Sequence, residues 1–134
     1  GLLLWSGGDA AAGTAKLTVR DAYVREPANP AEAAAYFSIG NTGRAEDTLT
    51  AVTASTGRAS LHTSNGPKMV ALATAPIPAR GRLDFSPGAN HVMIDDPGPL
   101  RPGGTVQLTL RFAKSAPITV DAPVIGISDT APGQ

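Results

Sequence analysis

Short alternations of apolar and polar residues recur along this chain, and glycine or proline interrupts nearly all of them. The clearest runs from Thr105 to Phe112, where Val106, Leu108, Leu110 and Phe112 fall on one side. Ile118, Val120, Ala122 and Val124 repeat the pattern. A period of two is the mark of a half-buried strand. Leu17 to Val24 alternates around Leu17 and Val19, and Asp47 to Ala54 around Leu49. Tyr36, Phe37 and Ile39 favour a strand from about residue 34 to 40, although Ala31 to Ala35 would also suit a helical turn. Shorter candidates are Ala59 to Thr63, Lys68 to Ala73, Arg82 to Phe85 and His91 to Asp95. Turn residues separate them: Asn41-Thr42-Gly43, Ser64-Asn65-Gly66-Pro67, Pro76 to Gly81, Ser86 to Asn90 and Pro97 to Gly104. The pattern predicts about eight or nine short antiparallel strands and no long helix, an all-β sandwich or barrel. No repeat or linker divides it. One domain is expected at 17–125, with a flexible leader at 1–16 and a flexible tail at 126–134.

Composition narrows the functions. A chain of 134 residues can bury one core without staples. Charged residues make up only 16% and sum to zero, so there is no basic field for nucleic acid. There is no cysteine, which excludes disulfides, thiolate metal sites, thiol nucleophiles and a blue-copper centre. It also suits an oxidising, extracytoplasmic compartment. Leu2 to Trp5 is apolar. Gly1 to Trp5 reads either as the end of an export signal or membrane anchor, too short to span a bilayer itself and giving an N-terminal membrane tether, or as a disordered leader whose apolar residues find a nearby groove.

Both histidines, His62 and His91, and both methionines, Met69 and Met93, lie in one stretch of the chain. Two imidazoles and two thioethers make a soft, neutral donor set. Thioether sulfur selects Cu(I), and imidazole accepts Cu(I) or Cu(II). Strand parity puts His91 and Met93 on one face, with Val92 and Ile94 on the other. Met69 is out of phase with Val70 and Leu72, and His62 with Leu61. All four are therefore expected on the face away from the core, in a shallow site suited to metal transfer. Spacing alone does not show that they converge.

His62, Met69 and the triplet His91-Val92-Met93 resemble the His…Met…His-x-Met signature of the periplasmic copper chaperones called PCu(A)C. Tyr36 to Gly43, Ser86 to Asn90 and Leu100 to Phe112 are similar to other segments of that family, and the likeness covers about residues 17 to 124. Six residues separate His62 from Met69, fewer than is usual there, and Ser64 stands where many members carry another methionine. The resemblance implies a cupredoxin-like Greek-key sandwich. It implies one Cu(I) held by His62, Met69, His91 and Met93, and the imidazoles leave Cu(II) open as well. It implies no catalysed reaction, and delivery to the copper-bearing subunit of cytochrome c oxidase, with a Sco-type protein as a further partner.

Three other readings stand beside it. A copper store would use the same ligands without delivery. A metal-free interaction or adhesion module would have Met69 in the core, or the first ligand pair far from the second. A copper enzyme would need an open coordination position. Asp95-Asp96 before Pro97-Gly98 reads as a turn rather than a carboxylate site. No nucleophile elbow or phosphate loop is present.

Overall fold

A computed structural model of the chain describes residues 14–132. Residues 1–13 of the expected leader and 133–134 of the expected tail lie outside the described residues. Ten strands follow one another: β1 (Leu17–Arg25), β2 (Glu32–Asn41), β3 (Asp47–Ala54), β4 (Arg58–Asn65), β5 (Lys68–Leu72), β6 (Ala75–Ile77), β7 (Arg82–Phe85), β8 (His91–Asp95), β9 (Thr105–Phe112) and β10 (Ile118–Ile125). Among the described residues there is no helix, and Glu32 to Ala35 is strand. The fold is all-β and mostly antiparallel, with one strand more than the pattern suggests. The extra strand is β6, which pairs its Pro76 with Thr48 of β3. It is the last strand of the sheet order, and an edge strand tolerates a residue with no N–H.

The strands connect in the order β5-β4-β8-β2-β1-β10-β9-β3-β6, with β7 also on β2. One sheet contributes Val24, Ala35, Phe37, Ile39, Leu61, Phe85, Val92 and Ile94 to the core, and the other Leu49, Val52, Ile77, Val106, Leu108, Leu110, Phe112 and Val124. The sheets meet through a short parallel pairing, Val24 with Val124 and Arg25 with Ile125. A bulge in β1 between Arg20 and Tyr23 shifts the register by one residue, and Asp21 takes φ 58° there. An extra residue reverses the alternation that follows. Val19 faces Ile39 before the bulge, and Val24 faces Ala35 after it. Tyr23 is thereby turned to the outer face, opposite Tyr36.

Beyond β10, Arg25 holds the chain by donating to the carbonyls of Gly126, Ile127 and Asp129 at 3.0, 3.0 and 2.9 Å. Ala131 is buried. At the other end of the sheet, Asn41 ties three loops together. Its Oδ1 accepts from the N–H of Lys16 and Gly43, and its Nδ2 donates to the carbonyls of Ala45 and Pro78.

The path of the chain around β4 positions the site. After β4 and β5 it crosses to the other sheet for β6. It then returns to lay β7 and β8 end to end along the same edge of β2. This inserts β8 between β4 and β2. The turn into β4 is closed by Gly57 at φ +71°, where a Cβ would come 2.5 Å from the Asp95 carbonyl oxygen and 2.8 Å from Ile94 Cγ2. Gly57→Ala is therefore expected to lower stability by about 1–3 kcal/mol, read as a lower midpoint in thermal denaturation. An unchanged midpoint would mean that the turn relaxes without disturbing β8.

Candidate metal centre

Three neighbouring strands, β5, β4 and β8, carry the four residues singled out by the sequence. His62 is paired directly with His91 across β4 and β8, and Ser60 with Met93. Met69 is paired with Ser64 across β5 and β4. Directly opposed residues share a face, and so do residues two apart on one strand. His62, Met69, His91 and Met93 thus all lie on the outer face, while Leu61, Val92 and Ile94 enter the core.

Three of the four are in close association. His91 Nε2 lies 2.9 Å from Met69 Sδ. The imidazoles of His62 and His91 stack at 5.7 Å between centroids, inclined by 14°. Met93 shares the face but stands to one side. It lines a cavity of about 310 Å3 with Tyr36, Ala34 and the loop from Glu26 to Asn29. The face is less open than parity implies: His91 is only 7% exposed, whereas Met69 is 54% exposed. Met69 sits on the edge strand, so its side chain reaches over β4 to His91 from the rim.

The hydrogen bonds define which ring nitrogens are free. The segment Ser86–Asn90 interrupts the strand between β7 and β8, and closes on itself through Ser86 N–H to Asn90 O at 2.9 Å. This brings the Ala89 carbonyl to 3.2 Å from His91 Nδ1. A carbonyl and a thioether can both only accept, so a neutral ring donates to one of them; with the proton on Nδ1 and given to the Ala89 carbonyl, the stronger acceptor, Nε2 presents its lone pair towards Met69. Fixing a ligand imidazole through its other nitrogen is the usual way a protein orients it for a metal. His62 Nε2 is 2.9 Å from Ser60 Oγ. His62 Nδ1 is buried and has no partner among the described residues. An unpartnered buried nitrogen is costly unless something else satisfies it, and a soft cation would do so.

The donor chemistry is selective. Among the described residues no group of three or more His, Cys, Asp or Glu side chains could hold a metal ion. The cluster is imidazole and thioether alone, which fits Cu(I) and not a carboxylate-seeking ion. Tyr36 flanks this region: extrapolating the β2–β8 register puts it beside His91. Burial, with a smaller push from Tyr23, raises its phenol above the ordinary range, and Arg25 partly offsets this. Tyr36 therefore stands at the site as a neutral hydroxyl. Sequence reasoning missed Ser60 and the Ala89 carbonyl. Ser60 was within reach of it, because it lies two residues before His62 on the same face. The Ala89 contact depends on the folded path of the Ser86–Asn90 segment.

The fold matches those of known copper proteins. The copper-bound PCuAC domain from PmoF2 superposes with a TM-score of 0.72 at 24% identity, over 83% of this chain and 93% of that one. The apo PCuAC domain from PmoF1 gives 0.71 at 28% identity, over 83% and 94%. The Cu(I) form of DR1885 from Deinococcus radiodurans gives 0.60 at 26%, over 81% and 76%. No curated protein matches the chain in sequence. The model of the LpqE-like family, which carries a lipoprotein name, matches residues 17–124. That span runs from the start of β1 almost to the end of β10 and includes the whole cluster, and the chain belongs to the LpqE-like family.

Proposed function

We propose that this protein is an extracytoplasmic copper carrier that binds one Cu(I) on the outer face of β5, β4 and β8. Met69, His91 and His62 supply three donors, and Met93 closes the set as the metal enters. The observation that carries the reading is the 2.9 Å approach of His91 Nε2 to Met69 Sδ, with the His62 ring stacked on His91 and its buried Nδ1 without a partner among the described residues. Two electron-rich atoms facing each other are what a cation between them would reconcile. The copper-bound state of the PmoF2 domain and the Cu(I) state of DR1885 support the same cargo. The metal-free module calls for Met69 in the core or far from His91, and Met69 is exposed and in contact with it.

The work done is ligand exchange, not catalysis. Met69 is the solvent-facing donor, so a recipient's ligand can replace it while His91 still holds the ion. That order favours hand-over above storage. The recipient in this reading is the copper-bearing subunit of cytochrome c oxidase, with a Sco-type thiol protein as a further partner. The lipoprotein name of the family supports a membrane-anchored position outside the cytoplasm.

The test is an anaerobic Cu(I) titration against a chromogenic chelator, followed by mixing with the apo copper domain of the oxidase subunit. One tight equivalent, then its appearance in the recipient, is the expected result. Uptake without transfer would leave a copper store. No competition with the chelator would remove copper from the reading altogether.

A further inference from the structure

Ser60 and Ala89 hold the two histidines by opposite nitrogens. Ala89 O meets Nδ1 of His91 at 3.2 Å, and Ser60 Oγ meets Nε2 of His62 at 2.9 Å. We propose that Ser60 is a positioning residue that keeps His62 in its Nε2–H tautomer, so that the metal takes Nδ1 from His62 and Nε2 from His91. This rests on the copper reading above.

The argument turns on His62 Nδ1, which is buried without a partner among the described residues. With the proton on Nε2 and donated to Ser60 Oγ, the orphan is a lone pair, which a cation can satisfy. With the proton on Nδ1 the orphan is a buried N–H, which nothing nearby accepts and which would repel an incoming cation. The serine hydroxyl accepts from Nε2–H, and a proton on the buried Nδ1 would find no acceptor among the described residues, so the arrangement is in place before the metal arrives. The placement of Ser60 is set by the strand. It lies two residues before His62 on β4, so its side chain is on the same face, and it is paired with Met93 across β8. The same serine thus stands between the two ligands whose association is not direct. Opposite nitrogens also have a geometric use. Paired residues on adjacent strands offer their rings side by side, and using Nδ1 on one and Nε2 on the other offsets the two lone pairs along the strand.

The experiment is long-range 1H–15N correlation of the histidine rings at about pH 8, above the ordinary histidine range, first on the apo protein and then after one equivalent of Cu(I). The apo spectrum is expected to show His62 as the Nε2–H tautomer and His91 as the Nδ1–H tautomer. Cu(I) is expected to shift His62 Nδ1 and His91 Nε2. Ser60→Ala is expected to mix the His62 tautomers and weaken Cu(I) binding about 10–100-fold, and Ser60→Thr to restore both. An Nδ1–H tautomer for His62 in the apo wild type would overturn the proposal, as would a Ser60→Ala spectrum identical to wild type. If wild type took up no copper, the copper reading would fall and the nitrogen assignment with it. The apo tautomers would still show whether Ser60 orients the ring.

Discussion

His91→Ala is expected to weaken Cu(I) binding beyond the roughly 100-fold that changes outside the ligand shell reach. His91 is the hub of the cluster. Its Nε2 touches Met69 Sδ, its ring stacks on His62, and its Nδ1 is fixed by Ala89. Removing it takes one donor and unseats two others. Copper competition on the purified variant measures the loss. The same loss would follow from unfolding, because His91 is largely buried, so the variant needs a partner experiment. Met69→Leu supplies it. Met69 is more than half exposed and contributes little to the core, and leucine keeps its bulk without the sulfur. Its thermal midpoint is expected to stay at the wild-type value while its Cu(I) affinity falls. Met93→Leu is expected to have the smaller effect of the two, since Met93 lines the cavity with Tyr36 while Met69 meets His91 Nε2 directly. Wild-type affinity in both His91→Ala and Met69→Leu would remove this cluster as the copper site.

Much of the fold is legible because its core strands alternate cleanly. In β9 every second residue, Val106, Leu108, Leu110 and Phe112, is buried. The legible part ends where tertiary context decides. The β1 bulge at Asp21 reverses a face without any glycine to announce it. The β6 edge strand hides behind Pro76. In β5, Met69 and Val70 are both exposed, so burial there does not follow the alternation that the sequence shows. For the site, parity gives the face of each residue, since it depends on local geometry alone. Proximity is different. His62 and His91 become neighbours only because the chain leaves the sheet after β5 and comes back beside β4. Nothing in the intervening turns encodes that return, and the family resemblance supplies it. The degree of cover over His91 is likewise a product of Met69 reaching in from the edge strand.

The largest stability effect is expected far from the metal face, at Asp47. This carboxylate is fully buried and, among the described residues, forms no ion pair. Its Oδ1 accepts from the N–H of Thr48 at 2.8 Å and of Lys114 at 3.0 Å. Its Oδ2 accepts from the N–H of Ser115 at 2.9 Å and from the Ser115 hydroxyl. Four donors thus converge on one charge and pin the β9–β10 turn to the start of β3. Burial pushes the carboxyl up. The Ser115 hydroxyl and the backbone N–H groups of Thr48, Lys114 and Ser115 together outweigh it and hold the carboxyl below its ordinary value. The sign follows from that lowering. Ionised Asp47 stabilises the fold fully above the unfolded carboxylate value, about 3.9. The contribution is lost as pH falls through the lower, folded value. Asp47→Ala leaves the donors buried and unmatched, at about 1–3 kcal/mol for each one left without a partner. Even two such losses are a large part of the roughly 5–15 kcal/mol that holds a domain together. Asp47→Asn should fall between alanine and wild type: an amide oxygen can still serve Thr48 and Lys114, while its NH2 meets the Ser115 N–H donor to donor. Urea denaturation at pH 7 should rank the three in that order. Repeated from pH 5 down towards pH 2, it should show the steepest loss in wild type and a flatter course in Asp47→Asn. Parallel acid limbs in wild type and Asp47→Asn would mean that other carboxylates, and not Asp47, set the acid lability of the fold.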